Sequence, residues 1–204
     1  CGTTPEHIRA LVHACKNQAL VSVTKKDLTL VSSYGKGVLL GHDPVMAGEC
    51  INPNGGKDMR EAIRGRDMEF ILRAALAQQE CGAATLDVNV GLPGIDEPAL
   101  LCDVVRAVQS VCDLPLQLDT SNMEALDRAS RIYNGKPMIN SVNGKPESMH
   151  GVFPIMQKYG GTAIALTLDE NGIPKTAQGR LDVAKKIIET AAGYCIDKKD
   201  LIVD

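Results

Sequence analysis

Residues 114–142, LPLQLDTSNMEALDRASRIYNGKPMINSV, show the repeating unit from which most of the chain is built. An apolar run that ends at Asp119 is followed by an amphipathic run, and Gly135 then precedes a second apolar run. Ser121 or Asn122 can cap the start of a helix here, and Gly135 can end it. This order predicts a β-strand, an α-helix and a second strand parallel to the first.

The same alternation extends on both sides of this stretch. Strand-like runs are VMAGEC (45–50), AATLDVNV (83–90), LPLQLD (114–119), PMINSV (137–142), TAIALTLD (162–169) and DLIVD (200–204). Helical patterns cover residues 58–81, 97–111, 123–133, 145–159 and 176–194. Near-continuous apolar strands that alternate with helices predict an α/β fold, with a parallel sheet covered by helices on its outer face.

Two α/β architectures fit this order of elements. A doubly wound nucleotide-binding sheet favours a glycine-rich phosphate loop after an early strand, and the sequence contains neither GxGxxG nor GxxxxGK[ST]. The sequence therefore favours a TIM-type (β/α)8 barrel. A complete barrel needs eight strands and typically about 250 residues. Because only six strands are visible, we expect a barrel that is truncated after its sixth strand.

The N-terminal residues have a different pattern. TPEHIRALVHAC (4–15) places Pro5 at a helix start, directly after a threonine that can cap it. LTLVSSYGKGVLLG (28–41) predicts two short strands around a Tyr-Gly-Lys-Gly turn. We expect an N-terminal helix, a linker and a β-hairpin that plugs the N-terminal end of the barrel.

Polar side chains stand at or just past the end of every predicted strand of the barrel. In a βα barrel these ends converge on one mouth, where active sites lie. Any one of these residues could be only a helix cap or an Asx turn, but all six strands share the feature. We therefore expect a shared polar pocket, into which Asn52 projects while the rest of INPNGG (51–56) turns the backbone away. The residues are Asn52, Asp87, Asn89, Asp119, Asn140, Asn143, Asp169 and Asp204.

The residue types of this pocket indicate its ligand. Asp and Asn without a cluster of His or Cys make a poor transition-metal site, so we predict no resident metal, although magnesium is conceivable. Carboxylates accept hydrogen bonds, and carboxamides both donate and accept. A heterocycle with several N–H donors on one edge, such as a 2-amino-4-oxo pterin, fits this set.

Composition excludes several other classes. The net charge is −3 and the basic residues are scattered, which indicates neither a nucleic-acid nor an anionic membrane partner. No apolar run approaches the roughly eighteen residues of a membrane span, and no leader is visible. We expect a cytoplasmic protein. Seven cysteines without a CxxC pair indicate neither a disulfide framework nor a zinc ribbon.

Five motifs resemble one family: GECINPNGGK, LDVNVG, PLQLDTSN, PMINSVNG and ALTLDENGIPKTAQGR. They resemble the pterin-binding barrel of cobalamin-dependent methionine synthases, which are related to corrinoid methyltransferases and dihydropteroate synthase. CGTTPEHIRAL (1–11) resembles the end of the homocysteine-binding domain that precedes this barrel. The resemblance implies a dihydropteroate synthase-like barrel over residues 28–204, preceded over residues 1–27 by the end of a homocysteine-binding domain and a linker.

The resemblance also implies roles for individual residues. Asp119, Asn140 and Asp204 would hydrogen-bond the pterin, and Asn52, Asp87 and Asn89 would complete the pocket. Asp119 and Asn140 would also take part in catalysis. Their hydrogen bonds would position the pterin ring and tune the protonation of its N5 atom. Cys1 matches a zinc-binding cysteine whose partner cysteines lie outside this chain, so zinc is expected only in that absent part. Cys50 stands where the family usually has arginine.

The implied activity is binding of 5-methyltetrahydrofolate and presentation of its N5-methyl group to cob(I)alamin, as part of methionine synthesis from homocysteine. The expected partners are a cobalamin-binding domain or protein and the homocysteine-binding domain, with a homo-oligomer also open. Two alternatives remain. One is dihydropteroate synthase-like condensation, for which Lys57, Arg60 or Lys175 would bind phosphate. The other is a non-catalytic fragment that only binds pterin.

Overall fold

The structure is a computed structural model that describes residues 2–24 and 26–204. Cys1, the predicted match to a zinc-binding cysteine, lies outside these residues. The helices are α1 (Pro5–Cys15), α2 (Lys57–Gly65), α3 (Met68–Glu80), α4 (Glu97–Val111), α5 (Met123–Ile132), α6 (Pro146–Tyr159) and α7 (Ala177–Gly193). The strands are β1 (Thr29–Ser32), β2 (Gly37–Leu40), β3 (Ala47–Ile51), β4 (Thr85–Val88), β5 (Leu116–Asp119), β6 (Met138–Asn143), β7 (Thr162–Leu166) and β8 (Leu201–Val203).

Strands β3 to β8 form one parallel sheet in chain order, with β3 and β8 at its two edges. Helices link successive strands, and the apolar face of the sheet packs against them. Leu86, Leu118 and Ile139 on this outer face are fully buried. The predicted α/β class and the six-stranded part of a TIM-type barrel are therefore confirmed.

Most predicted helices lie where the sequence places them, and two of the expected caps form. The Thr4 hydroxyl accepts from the His7 N–H at the start of α1, and Asn122 accepts from two N–H groups at the start of α5. The continuous helix predicted over residues 58–81 is wrong. Arg66, with φ of 55°, ends α2, and Asp67 then caps α3 by accepting from the Phe70 N–H. A left-handed residue ends a helix, and an aspartate cap directly after it starts a second one.

The hairpin of β1 and β2 lies against the N-terminal end of the sheet, as predicted. Ser32 and Lys136 exchange two backbone hydrogen bonds, of 2.9 and 3.0 Å, just before β6 begins. The Thr162 hydroxyl donates to the Leu30 carbonyl at the start of β7 across 3.1 Å. Val31 and Val38 of the hairpin pack with Met138 in a second, smaller apolar cluster. This end of the sheet is thus covered, and the opposite end carries the polar residues.

All residues of α1 are exposed. The division at residue 27 between a preceding domain and the barrel stays a prediction. Within the described residues, no helix is long and apolar enough to cross a membrane.

Candidate functional site

The inner face of the sheet carries a row of polar side chains at the carboxyl ends of β4, β5 and β6. Asp119 lies opposite Asn140 in the register of β5 and β6, and Asp87 lies opposite Gln117. Because successive side chains of a strand point to opposite faces, their neighbours Leu86 and Leu118 face the helices. The same alternation that fills the apolar layer therefore turns these polar residues inward.

Asn89 links the ends of β4 and β5. Its side-chain amide donates to Asp119 Oδ2 across 2.8 Å, and its Oδ1 accepts from the Gly91 N–H across 2.9 Å. The second bond fixes the side chain in an Asx turn. Asn89 is therefore held by its own loop in the position from which it supports Asp119.

Asp87 is the most deeply buried carboxyl group of the site, with 1% of its surface exposed. Its Oδ1 accepts a hydrogen bond from the Gln117 side-chain amide. Its Oδ2 is buried and makes no hydrogen bond of ordinary geometry to any described residue. Buried polar atoms are normally paired, and the Asn140 amide is the second side chain that stabilises this carboxyl group in its charged form.

Both inner carboxyl groups hold a proton more tightly than usual. Burial raises the pKa of Asp87 to about 7, the nearby Asp119 and Glu49 carboxylates add to the rise, and the Gln117 and Asn140 amides oppose it. Burial also raises the pKa of Asp119, helped by Glu49 and Glu97 and opposed by the hydrogen bond from Asn89. Perturbed groups that cluster on one face indicate a functional site.

A cleft of about 430 Å³ opens beside these residues, between the loops that follow β5 and β6. Asp119 and Asn140 line its inner end, and Ser141 and Lys145 line it further out. The peptide between Asn140 and Ser141 is cis. The cleft connects Asp119 and Asn140 to the surface. Its remaining lining residues are Thr120, Ser121, Met123, Asn143, Glu147 and Ser148.

Asn52 is buried at the end of β3, and its side chain is used by its own turn. Its Oδ1 accepts from the Asn54 N–H across 2.9 Å, and its amide lies 3.4 Å from Glu49 Oε1. Gly56, with φ of 135°, then takes the chain into α2. Asn52 therefore reaches the other polar residues through Glu49, and its predicted contact with a ligand stays a prediction.

The remaining strand-end residues lie farther apart. Asp204 follows β8 and lines a cavity of about 440 Å³ on the inner face, together with Thr85 and Gln117. Asn143 lines the cleft that contains Asp119. Asp169 lies three residues past β7 in a turn with Gly172, and it lines a different cleft. The structure thus brings together Asp87, Asn89, Asp119 and Asn140.

Two functional candidates are absent from the sequence-based set. Gln117 alternates with Leu116 and Leu118 in β5 and shares its face with Asp119, so period-two alternation was a sufficient signal. Glu49 acts on both Asp87 and Asp119, but the register of β3 is irregular between Gly48 and Ile51. That irregularity breaks the alternation and hides the glutamate. Within the described part of the chain, no group of three or more His, Cys, Asp or Glu side chains is arranged to hold a metal ion.

A family model described as "Pterin binding enzyme" matches residues 48–204, which include every strand of the large sheet except the first residue of β3. The chain belongs to the pterin-binding enzyme family. This pterin-binding chain is 31% identical over 218 residues to the methionine synthase of Mycobacterium leprae, with all of the chain and 18% of that protein covered. It is 30% identical over 212 residues to the methionine synthase of Mycobacterium tuberculosis, again with 18% of that protein covered.

These relatives confirm the predicted resemblance of the pterin-binding chain to the methionine synthases. The chain spans 18% of the length of the curated relatives that it matches.

Solved structures with the same fold include dihydropteroate synthases. That of Vibrio fischeri superposes with a TM-score of 0.63 at 17% identity, covering 86% of this chain and 65% of that chain. That of Xanthomonas albilineans, in complex with 7,8-dihydropteroate, gives a TM-score of 0.60 at 20% identity, covering 81% and 62%. At these identities the similarity establishes the fold of the pterin-binding chain.

Proposed function

We propose that the pocket formed by Asp119 and Asn140 binds 5-methyltetrahydrofolate and presents its N5-methyl group for transfer to cob(I)alamin, within methionine synthesis. The observation that carries this proposal is the arrangement of Asp87, Asp119 and Asn140 on one inner face, at the ends of three neighbouring strands. Adjacent strands are about 4.8 Å apart, so these three ends span roughly 10 Å. A flat, fused two-ring heterocycle matches that span.

The donor and acceptor inventory also suits a pterin. Its 2-amino-4-oxo edge presents N–H donors beside a carbonyl oxygen, so a carboxylate can accept two of those donors while a carboxamide pairs with the ring nitrogen and oxygen atoms. Asp119 and Asn140 line the cleft together and supply both types of group. Asp204, across the inner cavity, supplies a further acceptor in this proposal.

The proposed chemistry needs a proton at N5. A tertiary amine leaves poorly, so as the C–N bond breaks its electron pair stays on N5 and a proton joins it there. General acid assistance of this kind is worth about 10²–10⁴-fold in rate. Cob(I)alamin, when bound on its partner domain or protein, would supply the electron pair that forms the new bond to the methyl carbon. Asp119 and Asn140 hold the ring and influence the basicity of its nitrogens through their hydrogen bonds.

The basic residues considered for a phosphate site do not assemble at this pocket. Lys57 faces Glu61 across 3.7 Å on the exposed surface of α2, and the Arg60 Nε donates to the Pro53 carbonyl. Lys175 is exposed in the loop after β7. These three residues therefore do not form a phosphate site at the pocket, where Lys145 lines the cleft, and turnover separates the two activities.

The test is calorimetric binding of 5-methyltetrahydrofolate to the chain and to Asp119→Ala and Asn140→Ala, with Asp169→Ala as the control. We expect each pocket variant to weaken binding by tenfold or more, because a hydrogen bond to a charged group is worth about 1.5–3 kcal/mol. The control should bind as the parent chain does. Failure of the parent chain to bind the folate would contradict the proposal.

Turnover separates the alternatives. The chain is supplied with 5-methyltetrahydrofolate and cob(I)alamin, and formation of methylcobalamin and tetrahydrofolate is followed by absorbance and chromatography. A parallel reaction supplies a pterin pyrophosphate and 4-aminobenzoate. Methylcobalamin would support the proposal, dihydropteroate would support the condensation, and folate binding without either product would support a domain that only binds.

A further inference from the structure

The cleft beside the pocket extends past the residues that are proposed to hold the pterin. Asp119 and Asn140 line its inner end, and Lys145 lines it two residues beyond the end of β6. The strand from Asn140 to its last residue, Asn143, spans up to roughly 10 Å. The cleft volume of about 430 Å³ is that of a pocket for a whole small ligand. A pterin ring at the inner end would therefore leave the outer part open to the group that the ring carries.

The loop after β6 fixes the backbone of Lys145. The Lys145 N–H donates to Asn143 Oδ1 across 3.0 Å, and its carbonyl accepts from the Ser148 and Met149 N–H groups across 3.1 Å. The Ser148 hydroxyl accepts in turn from the Asn143 N–H across 3.0 Å. Asn143 and Ser148 thus use their side chains within the loop, and the Lys145 side chain takes no part in these bonds.

Lys145 alone is basic among the described residues that line the cleft, and it is half-buried. No carboxylate oxygen of the described residues lies within 4.0 Å of its Nζ, although Glu147 lines the same cleft. The ammonium group is therefore available to an anion. One cation near one carboxylate suits a ligand carboxylate better than a pyrophosphate, whose several negative charges Glu147 would repel.

Met123 gives the same cleft an apolar wall. It begins α5 and lies against α6, where a Cβ on Gly151 would be only 2.7 Å from its sulfur atom. Gly151 therefore leaves the space that the Met123 side chain fills. Because thioethers make favourable contacts with aromatic rings, this wall suits an aryl group bound in the cleft.

We propose that the cleft binds the aminobenzoyl-glutamate tail of the folate, with the benzoyl ring on Met123 and a glutamate carboxylate on the Lys145 ammonium group. The proposal rests on the function proposed above and adds to it a subsite for the part of the substrate that does not react. Asp119 and Asn140 at the inner end and Lys145 further out match the order of groups in folate, whose carboxylates lie farthest from the ring.

Calorimetry with two ligands tests the subsite. One is 5-methyltetrahydrofolate, and the other is 5,6-dimethyltetrahydropterin, which has the same ring and N5-methyl group but no tail. We expect Lys145→Met to weaken folate binding roughly twofold to fivefold, as for a partly exposed ion pair, and to leave affinity for the tail-free pterin unchanged. Lys175→Met, at an exposed lysine outside the cleft, is the matched control and should change neither affinity.

The dependence on salt separates an ion pair from a packing effect. Folate affinity of the parent chain should fall as the salt concentration rises from about 0.05 M to about 0.5 M, because salt screens partly exposed charges. In Lys145→Met this dependence should be weaker. Met123→Ala should weaken folate binding at every salt concentration and leave binding of the tail-free pterin unchanged, because it removes the aryl contact and keeps the charge.

Two results would overturn the role of Lys145. One is an equal loss of affinity for both ligands in Lys145→Met, or no loss for folate. The other comes from titration with inorganic pyrophosphate: binding that Lys145→Met abolishes, with folate affinity unchanged, would assign the lysine to a phosphate.

The tail-free pterin keeps the two proposals distinguishable. A parent chain that binds this pterin and 5-methyltetrahydrofolate with equal affinity would contradict only the tail subsite. A parent chain that binds neither ligand would contradict the proposed function as well. If Lys145→Met loses its circular dichroism signal, Lys145→Gln, which keeps a polar side chain without the charge, decides.

Discussion

Asn89 donates to Asp119 Oδ2 across 2.8 Å, while its own oxygen is held by the Gly91 N–H. This bond joins the loop after β4 to the last residue of β5, and it opposes the burial that raises the pKa of Asp119. Asn89 therefore supports the charge on which the proposed pterin contact depends.

Asn89→Asp removes this donor and places a like charge beside Asp119, while the aspartate can still accept from the Gly91 N–H. We expect folate binding at pH 7 to weaken by roughly ten- to a hundredfold, since a lost hydrogen bond to a charged group is worth about 1.5–3 kcal/mol. Calorimetry at pH 7 measures the change. Asn171→Asp, in an exposed turn after β7, is the control. Unchanged affinity in Asn89→Asp would contradict the supporting role.

Asp87→Asn should stabilise the chain at neutral and higher pH. The pKa of Asp87 rises from 3.8 to about 7 on folding. Because the folded state holds the proton more tightly, the contribution of Asp87 to stability is present at low pH and is lost as pH rises through this window. At one pKa unit per 1.36 kcal/mol, the loss at pH 8 is on the order of 2–4 kcal/mol.

Urea denaturation of the parent chain and Asp87→Asn at pH 5 and pH 8 measures this effect. The free energy of unfolding should favour the variant at both pH values and by more at pH 8, because the parent loses this contribution as pH rises from 3.8, the ordinary pKa of the group, to about 7. Asp113→Asn, at the carboxylate that pairs with Gln79, is the control and should not show the difference. A variant that is less stable than the parent at pH 8 would contradict the assignment.

Asn52→Ala should act first on the turn after β3. The substitution leaves the Asn54 N–H without its acceptor at 2.9 Å, and loss of a hydrogen bond of this kind typically costs about 1 kcal/mol. Asn54→Ala keeps the same backbone N–H and should stay within about 0.5 kcal/mol of the parent, as exposed substitutions usually do. Thermal or urea unfolding compares the two. Equal effects would show that the turn does not depend on the Asn52 side chain.

Tyr133→Phe should loosen the covered end of the sheet. The Tyr133 hydroxyl accepts from the Leu116 N–H across 2.9 Å and donates to the Ser32 carbonyl across 3.0 Å, so it ties β5 to the hairpin. Burial raises the pKa of this hydroxyl to about 12, which keeps the donor in place at neutral pH. Removing it leaves the Leu116 N–H unpaired, at a cost of about 1–3 kcal/mol, while the Ser32 carbonyl keeps its bond from the Lys136 N–H.

Urea denaturation again measures the cost of Tyr133→Phe, and Tyr34→Phe in the exposed hairpin turn is the control. Hydrogen exchange should locate the loss: the amide protons of Leu116 and of β1 should exchange faster, while those of β7 should not change. A stability loss equal to that of the control would contradict the bridging role.

Much of the fold could be predicted from local sequence signals. Apolar runs between capped helices were sufficient to place the strands, and Asn122 acts as the cap that its position indicates. The break between α2 and α3 was missed because Arg66 adopts a left-handed conformation without being glycine. Gly65 is of a residue type that ends helices, and Asp67 is of a type that caps the start of one. Together they would have indicated the break.

The candidate site was less predictable than the fold. The inward direction of Asp119 follows from strand alternation, but the hydrogen bond from Asn89 depends on a turn that closes on Gly91. Glu49 acts on the site through a strand of irregular register, which no local pattern reveals. Asn52 shows the opposite case: a strand-end amide that satisfies its own turn has the same sequence signature as one that faces a ligand.

The register of β5 also limits how this chain can change in evolution. Leu118 faces the helices and Asp119 faces the pocket because they differ by one position along a strand. Deleting one residue between Pro115 and Leu118 would turn Asp119 toward the apolar layer and bring a leucine to the mouth. Insertions and deletions that lengthen or shorten loops by one residue are tolerable, whereas the same event inside this strand exchanges its polar and apolar faces. The strand interior is therefore open to substitution and closed to changes of length.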